Sequence, residues 1–175
     1  MATPGYRIGL VGATGQVGKA FLKILEEGPR EDLPIAELRL FASERSAGTM
    51  VTVLGEDHLV HLAAPDPHVF EGLDLVLTAI GDDLARAFGP AIAQSGAVNV
   101  DKSNAWRMDP DVPLVVPEVN PQAAASHHGI IAGPNCSTTQ MVVALWPLHQ
   151  VNPIRRVIVD TYQAVSGTGW RAVDE

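Results

Sequence analysis

The sequence predicts an α/β protein built on a doubly wound, mostly parallel sheet, and three observations carry that expectation. Short apolar runs alternate with amphipathic stretches, the order that repeated strand–helix units produce. The first apolar run ends in a glycine-rich turn that opens directly onto a helical pattern. Hydrophobic residues make up 46 % of the 175 positions and charged ones 18 %, enough apolar side chain for a real core. No repeat and no low-complexity tract breaks the pattern.

The elements follow in order. Tyr6–Val11 (YRIGLV) is a buried strand. Val17, Phe21, Leu22 and Leu25 recur at helical spacing after Gly15, and Gly28-Pro29 stops that helix. Leu38–Ala42 is a second strand, and Val51–Leu54 with Leu59–Leu62 flank Gly55-Glu56-Asp57 as a hairpin. Leu73–Ile80 is another buried strand; Asp82 then caps a helix through Ala93 that ends at Gly96. Ala97–Val100 and Leu114–Val116 are further strands. Asn120-Pro121 is an N-cap followed by proline at the first helical position. Ile130–Ala132 leads through Gly133-Pro134-Asn135-Cys136 into a helix over Ser137–His149, which Pro147 must kink or end. Arg156–Val165 is a long strand, the first of a second sheet.

Charge narrows the partners. Twelve Lys+Arg stand against 20 Asp+Glu, a net charge of −8, and there is no basic run, so neither nucleic acid nor an anionic membrane is the expected partner. No apolar run approaches the ~20 residues that span a bilayer, and the opening MATPGYRIGLVGATG lacks a signal-peptide layout. The one cysteine rules out an internal disulfide and fits a reducing, cytoplasmic compartment. No residue set reads as a metal site.

The first turn, Gly12-Ala13-Thr14-Gly15-Gln16-Val17-Gly18, is the context in which a glycine-rich loop cradles phosphates, and it marks the fold as Rossmann-like. Gly12 and Gly15 allow a tight turn and close approach of a pyrophosphate, and Gly18 allows helix to pack on strand. The end of the second strand chooses the cofactor. An acidic residue there holds a ribose 2′-hydroxyl, whereas a cation holds a 2′-phosphate. Here Arg45 offers a planar fork, with Ser43 and Ser46 as hydroxyl donors, so NADP(H) is favoured over NAD although Glu44 dissents. The alternative is a solvated polar turn.

Cys136 either packs or reacts. A lone cysteine is commonly a small buried hydrophobe. This one follows Pro134-Asn135 and sits where a helix begins, where backbone N–H groups favour thiolate over thiol. Those donors and the Asn135 amide can also hold an oxyanion when the sulfur adds to a carbonyl.

The set GATGQVG, ASERSAG, DKSNAWR, VVPEVN, GPNCSTTQ and TYQAVSGTG resembles the N-terminal half of the aspartate-semialdehyde dehydrogenase family, from about Tyr6 to Gly169. The resemblance implies an NADP-dependent reductase of an acyl phosphate. A cysteine, matched by Cys136, displaces phosphate from 4-phospho-L-aspartate, and hydride from NADPH reduces the thioester to aspartate semialdehyde. By the same match Arg107 binds the leaving phosphate, Asn135 assists phosphate or oxyanion, and Gln163 orients substrate and thioester. Gly12, Thr14, Gly15, Gln16, Val17, Ser43, Arg45, Ser46, Ser166 and Gly167 contact NADP. The bland readings are an Arg107 paired with Asp101 or Asp109, and a Gln163 that is simply a satisfied polar strand residue.

The resemblance divides the chain into a nucleotide domain over 1–132 and the truncated start of an α+β catalytic and dimerisation domain over 133–175, with a homodimer expected for the complete family chain. The family's base is a histidine beyond the TYQAVSG strand, and after Gln163 this sequence has none. Gly81-Asp82-Asp83 stands where the family often has Gly-Gly-Ser, and Thr49 where it often has lysine. Two other classes compete. One is a non-catalytic NADP-binding or sensing module; Tyr6 and Tyr162 are followed four on by Leu10 and Ser166, which excludes Tyr-x-x-x-Lys chemistry. The other is a related reductase, such as one acting on N-acetyl-glutamyl phosphate.

Overall fold

The computed structural model describes residues 5–28 and 33–164. Seven strands form one sheet in the order β3-β4-β2-β1-β5-β6-β7. They are β1 (Tyr6–Val11), β2 (Ile35–Ala42), β3 (Met50–Val53), β4 (Glu56–Leu62), β5 (Leu75–Thr78), β6 (Val98–Asp101) and β7 (Ile130–Ala132). All neighbours run parallel except the β3–β4 hairpin. Helix α1 (Gln16–Glu27) follows β1, α2 (Asp82–Gln94) follows β5, and α3 (Cys136–Val151) follows β7.

Strand alternation explains why the sheet needs cover on both faces. Ile8 and Leu10 of β1 join Leu38, Leu40 and Ala42 of β2 in a core capped by Leu22 of α1. Val11 and Phe41 point the other way, into a core with Phe70, Val76, Phe88 and Ile92. Gly9 also faces that second core, where a Cβ would lie 2.8 Å from the Leu73 side chain. Phe70 sits with its ring centroid 5.3 Å from Phe41 and 6.2 Å from Phe88, contacts worth about 0.5–1.5 kcal/mol each beyond burial. With α1 on one face and α2 on the other, the sheet is doubly wound as predicted, and it is Rossmann-like.

Several local expectations need correction. Val17 is half exposed in the first turn of α1, and the buried positions of that helix are Gly18 and Leu22. The hairpin turns at Leu54-Gly55, both at positive φ (59° and 80°), so Glu56 and Asp57 belong to β4. A two-residue turn of this hand matches the twist of the flanking strands. Asp82 does not cap α2: Gly81 is the N-cap, and the Asp82 carboxylate instead accepts from the Asn104 backbone N–H at 2.8 Å. Leu114–Val116 makes only a single bridge, Leu114 to Ala132, because the Asn120 side chain claims neighbouring backbone groups. Asn120 accepts from the Val116 N–H and donates to the Leu114 carbonyl, so it does not cap the short 3-10 helix Pro121–Ser126 with its side chain. Helix α3 starts at Cys136 and continues four residues past Pro147, which neither ends it nor stops the ladder beyond.

The expected strand from Arg156 is absent over the described residues 153–164, which are irregular and mostly exposed. Its run of β-branched residues has the propensity, but no neighbouring strand takes its N–H and C=O groups.

Candidate active site

The strand order reverses direction between β1 and β5, the place where an open α/β sheet forms a crevice at its carboxyl edge. A cleft of about 540 Å³ lies there, lined by Gly12, Thr14 and Gly15 of the first turn, Ser43 and Glu44 after β2, and Ala79 and Ile80 after β5. Gly12 has φ +88°, and a Cβ there would meet the Ala79 carbonyl oxygen at 2.5 Å. Gly18 is tighter still: a Cβ would collide with the backbone of Gly12 and Ala13. Packing therefore requires both glycines, and turn geometry also requires Gly12.

The floor of the cleft suits phosphates. The N-cap of α1 is Gly15, without a side-chain cap, and no acidic residue stands in the first turn. Gly15 donates its own N–H to the Gly12 carbonyl and receives the bond from Lys19. The N–H groups of Gln16, Val17 and Gly18 consequently have no acceptor within the helix, and the dipole end is positive. Thr14 Oγ1 donates to Ser46 Oγ at 3.2 Å, tying the glycine turn to the β2–β3 loop. That loop is a turn in which Ser46 and Ala47 donate to the Ser43 carbonyl. Glu44 lines the cleft, whereas Arg45 and Ser46 stand outside its lining. Ser166 and Gly167 lie outside the described residues.

The lining also includes residues to which no role was assigned from sequence: Leu62 at the end of β4 with Ala63-Ala64-Pro65 after it, and Leu84 and Phe88 of α2. Small apolar residues carry no chemical signature, and only the position of β4 beside β2 brings them to the cleft.

The second group of predicted residues gathers at the start of α3. Cys136 is exposed and is the first residue of the helix. Asn135 is the N-cap; its Oδ1 accepts from Ser137 N at 3.0 Å and Ser137 Oγ at 2.6 Å. That orientation commits the carbonyl side of the amide to the cap and leaves its NH₂ as the donor. Gln163 Nε2 donates to Cys136 Sγ at 3.3 Å across 27 residues of chain. Arg107 is anchored by main-chain oxygens: Nε donates to Gly133 at 2.9 Å and Nη2 to Lys102 at 3.0 Å. It therefore pairs with neither Asp101 nor Asp109.

A buried polar knot shapes the loop that carries Arg107. Asp101, Asn99, Thr78 and Ser103 are all buried. Thr78 Oγ1 donates to Asp101 Oδ2 at 2.6 Å, and the Ser103 N–H donates to Asp101 Oδ1 at 2.8 Å. Ser103 Oγ then accepts from Ala105 N.

Four of the six histidines are engaged elsewhere. His58 bonds the Leu38 carbonyl, His127 accepts from Gly129 N, and His149 accepts from Ile154 N and stacks on Trp146. His68 pairs with Glu71, whose hydrogen bond holds the imidazole above its ordinary value. Among the described residues, the hydrogen-bond partners of the thiol are Asn135 and Gln163. No described helix is long and apolar enough to cross a membrane.

Comparison with known proteins gives the fold a family. Residues 7–127 match the family model for the semialdehyde dehydrogenase NAD-binding domain. The aspartate-semialdehyde dehydrogenase of Aquifex aeolicus is 50 % identical over 98 % of this chain and 50 % of the relative. The crystal structure of aspartate semialdehyde dehydrogenase II from Vibrio cholerae, complexed with ASA, superposes with a TM-score of 0.89 at 39 % identity, covering 98 % of this chain and 50 % of that one. The Candida albicans enzyme with NADP superposes at 0.68, with 29 % identity over 85 % of this chain and 48 % of that one. The chain thus spans about half the length of the relatives it matches. With its glycine turn, doubly wound sheet and matched domain, the chain belongs to the semialdehyde dehydrogenase family.

Proposed function

We propose that this chain is the cofactor-binding and nucleophile-bearing part of an NADP(H)-dependent aspartate-semialdehyde dehydrogenase, acting in amino-acid biosynthesis in the cytoplasm. The observation that carries the reading is the contact between Cys136 Sγ, at the exposed N-terminus of α3, and Gln163 Nε2 at 3.3 Å. A sulfur that accepts a hydrogen bond at a helix N-terminus is held as a nucleophile rather than packed as a hydrophobe.

In this reading the Cys136 thiolate attacks the carbonyl carbon of 4-phospho-L-aspartate. The Asn135 NH₂ and the first-turn N–H groups of α3 hold the oxygen as it gains charge. The carbon–oxygen bond to phosphate breaks, phosphate leaves toward Arg107, and a thioester remains on Cys136. Gln163 orients the sulfur in both states. When bound, the cofactor would supply the hydride that takes the thioester to the aldehyde, the carbon–sulfur bond breaking to return Cys136 as thiolate. Gly12, Thr14, Gly15, Gln16 and Val17 would hold its diphosphate, Ser43, Arg45 and Ser46 would hold the 2′-phosphate, and Ser166 and Gly167 would also contact NADP. The division at residues 132 and 133 then separates the nucleotide domain from the start of the catalytic and dimerisation domain, through which the homodimer forms.

The test is the alkylation rate of Cys136 by iodoacetamide at pH 7 against N-acetylcysteine. The expected rate is about tenfold or more above the model thiol, as for a thiol in an electropositive, hydrogen-bonding setting. Gln163→Ala is expected to remove most of the excess. A wild-type rate equal to the model thiol overturns the reading.

A further inference from the structure

We infer that Lys102 is a second cationic contact for the departing phosphoryl group, sharing the Gly133 peptide with Arg107; the inference rests on the acyl-phosphate reading above. Gly133 is buried and lies three residues before Cys136. Two cations converge on it. Arg107 Nε donates to its carbonyl oxygen, and the Lys102 side chain lies over its α-carbon. A methyl group on Gly133 would stand 2.9 Å from Lys102 Nζ and 3.4 Å from Cδ. Only hydrogen at that position leaves the lysine where it is.

The juxtaposition runs against the composition of the chain. Acidic residues outnumber basic ones, 20 to 12, so two adjacent cations run against the charge of the chain. Arg7 pairs with Asp74, Lys23 with Glu27 and Arg39 with Glu37. Among the described residues, neither Lys102 nor Arg107 has a carboxylate partner. Asp101 is fully buried and turned onto Thr78 and Ser103, and Asp82 accepts from Asn104 N. Two cations sharing one peptide repel each other unless an anion sits between them.

The donor inventory points to the class of that anion. Arg107 gives one N–H to Gly133, one to Lys102 and one, at 3.5 Å, to Asn104 Oδ1, which leaves two of its five for a ligand. A guanidinium fork plus an ammonium point charge suits a tetrahedral dianion better than a planar carboxylate. Beside the nucleophile, that dianion is the phosphate expelled when the thioester forms. Lys102 therefore sets phosphate affinity, while Arg107, pinned by two main-chain oxygens, sets its orientation.

The experiment uses this chain and inorganic phosphate. Cys136 alkylation is followed as phosphate is raised at constant ionic strength with KCl, and NADPH fluorescence monitors the cofactor cleft. Phosphate is expected to protect the wild-type thiol. Lys102→Met is expected to raise the half-protecting concentration about tenfold and Lys102→Arg less than threefold, with NADPH binding unchanged in both. Protection of Lys102→Met at the wild-type concentration overturns the inference and leaves the thiol reading intact. Absence of phosphate protection in the wild type also overturns it. The alkylation rate without phosphate judges the acyl-phosphate reading separately.

Discussion

Helices α1 and α3 both begin at a candidate site, yet the two corners are built differently. The N-cap of α1 is a glycine wedged against the β1 turn, and behind it stand two apolar cores. The N-cap of α3 is the Asn135 side chain, and no residue of that helix is buried although its run Met141–Leu145 is apolar on every side. The cofactor corner is held by long-range packing. The thiol corner is held by short-range caps and by one bond from Gln163. A defect in the first should therefore unfold the domain, whereas a defect in the second should change reactivity and leave the domain standing.

Gly18→Ala attacks the first corner most directly, since the added methyl meets the backbone of Gly12 and Ala13, which cannot give way as a side chain would. The expected loss is about 3 kcal/mol or more, at the upper end of overpacking, with NADPH binding lost in parallel. Chemical denaturation and NADPH fluorescence check it; an unchanged midpoint would erase the contrast between the corners.

Asn135→Ala attacks the second corner. Removing the cap costs about 1 kcal/mol of local helix stability. It should slow Cys136 alkylation while the denaturation midpoint of the sheet and NADPH affinity hold. A fall in NADPH affinity equal to that of the glycine variant would show the corners to be one unit.

The smallest effect is at the opposite end of the sheet. The Arg7 guanidinium and backbone N–H hold the Asp74 carboxyl below its ordinary value near 3.8. A depressed folded value means stability that is present above the ordinary value and lost as pH falls through the folded one. Acid titration of the folded state should therefore show a less steep loss below pH 4 in Asp74→Asn, with little difference at pH 7, because the pair is exposed. Equal acid limbs would remove this pair from the account.

What was legible in the sequence follows the same division. Ile8–Val11 and the glycine turn were readable because a strand segment buried on both faces is continuously apolar and a phosphate turn needs glycine at fixed places, whereas Tyr6 and Arg7 before them are exposed. The residues at the start of α3 were readable because thiol, amide and guanidinium carry their chemistry in their names. The Arg156 strand misled, since a strand is defined by its neighbour and propensity says nothing of one. Leu54 at φ 59° was illegible because branched apolar residues rarely take that conformation, so glycine alone marked the turn, one residue off. Lys102 carries no signal of its own in the sequence, and the fold alone lays it across Gly133.

The bond from Asn104 to Asp82 joins the two corners. Asp82 opens α2, whose Leu84 and Phe88 line the cofactor cleft; Asn104 belongs to the loop whose Lys102 and Arg107 lie against Gly133. One carboxylate thus serves as a strap between the cofactor side and the anion side. Opening either loop far enough to break it loosens the other, so the Asn104 amide proton is a natural reporter in hydrogen exchange. Ligand entering the cleft should slow its exchange without touching the residue.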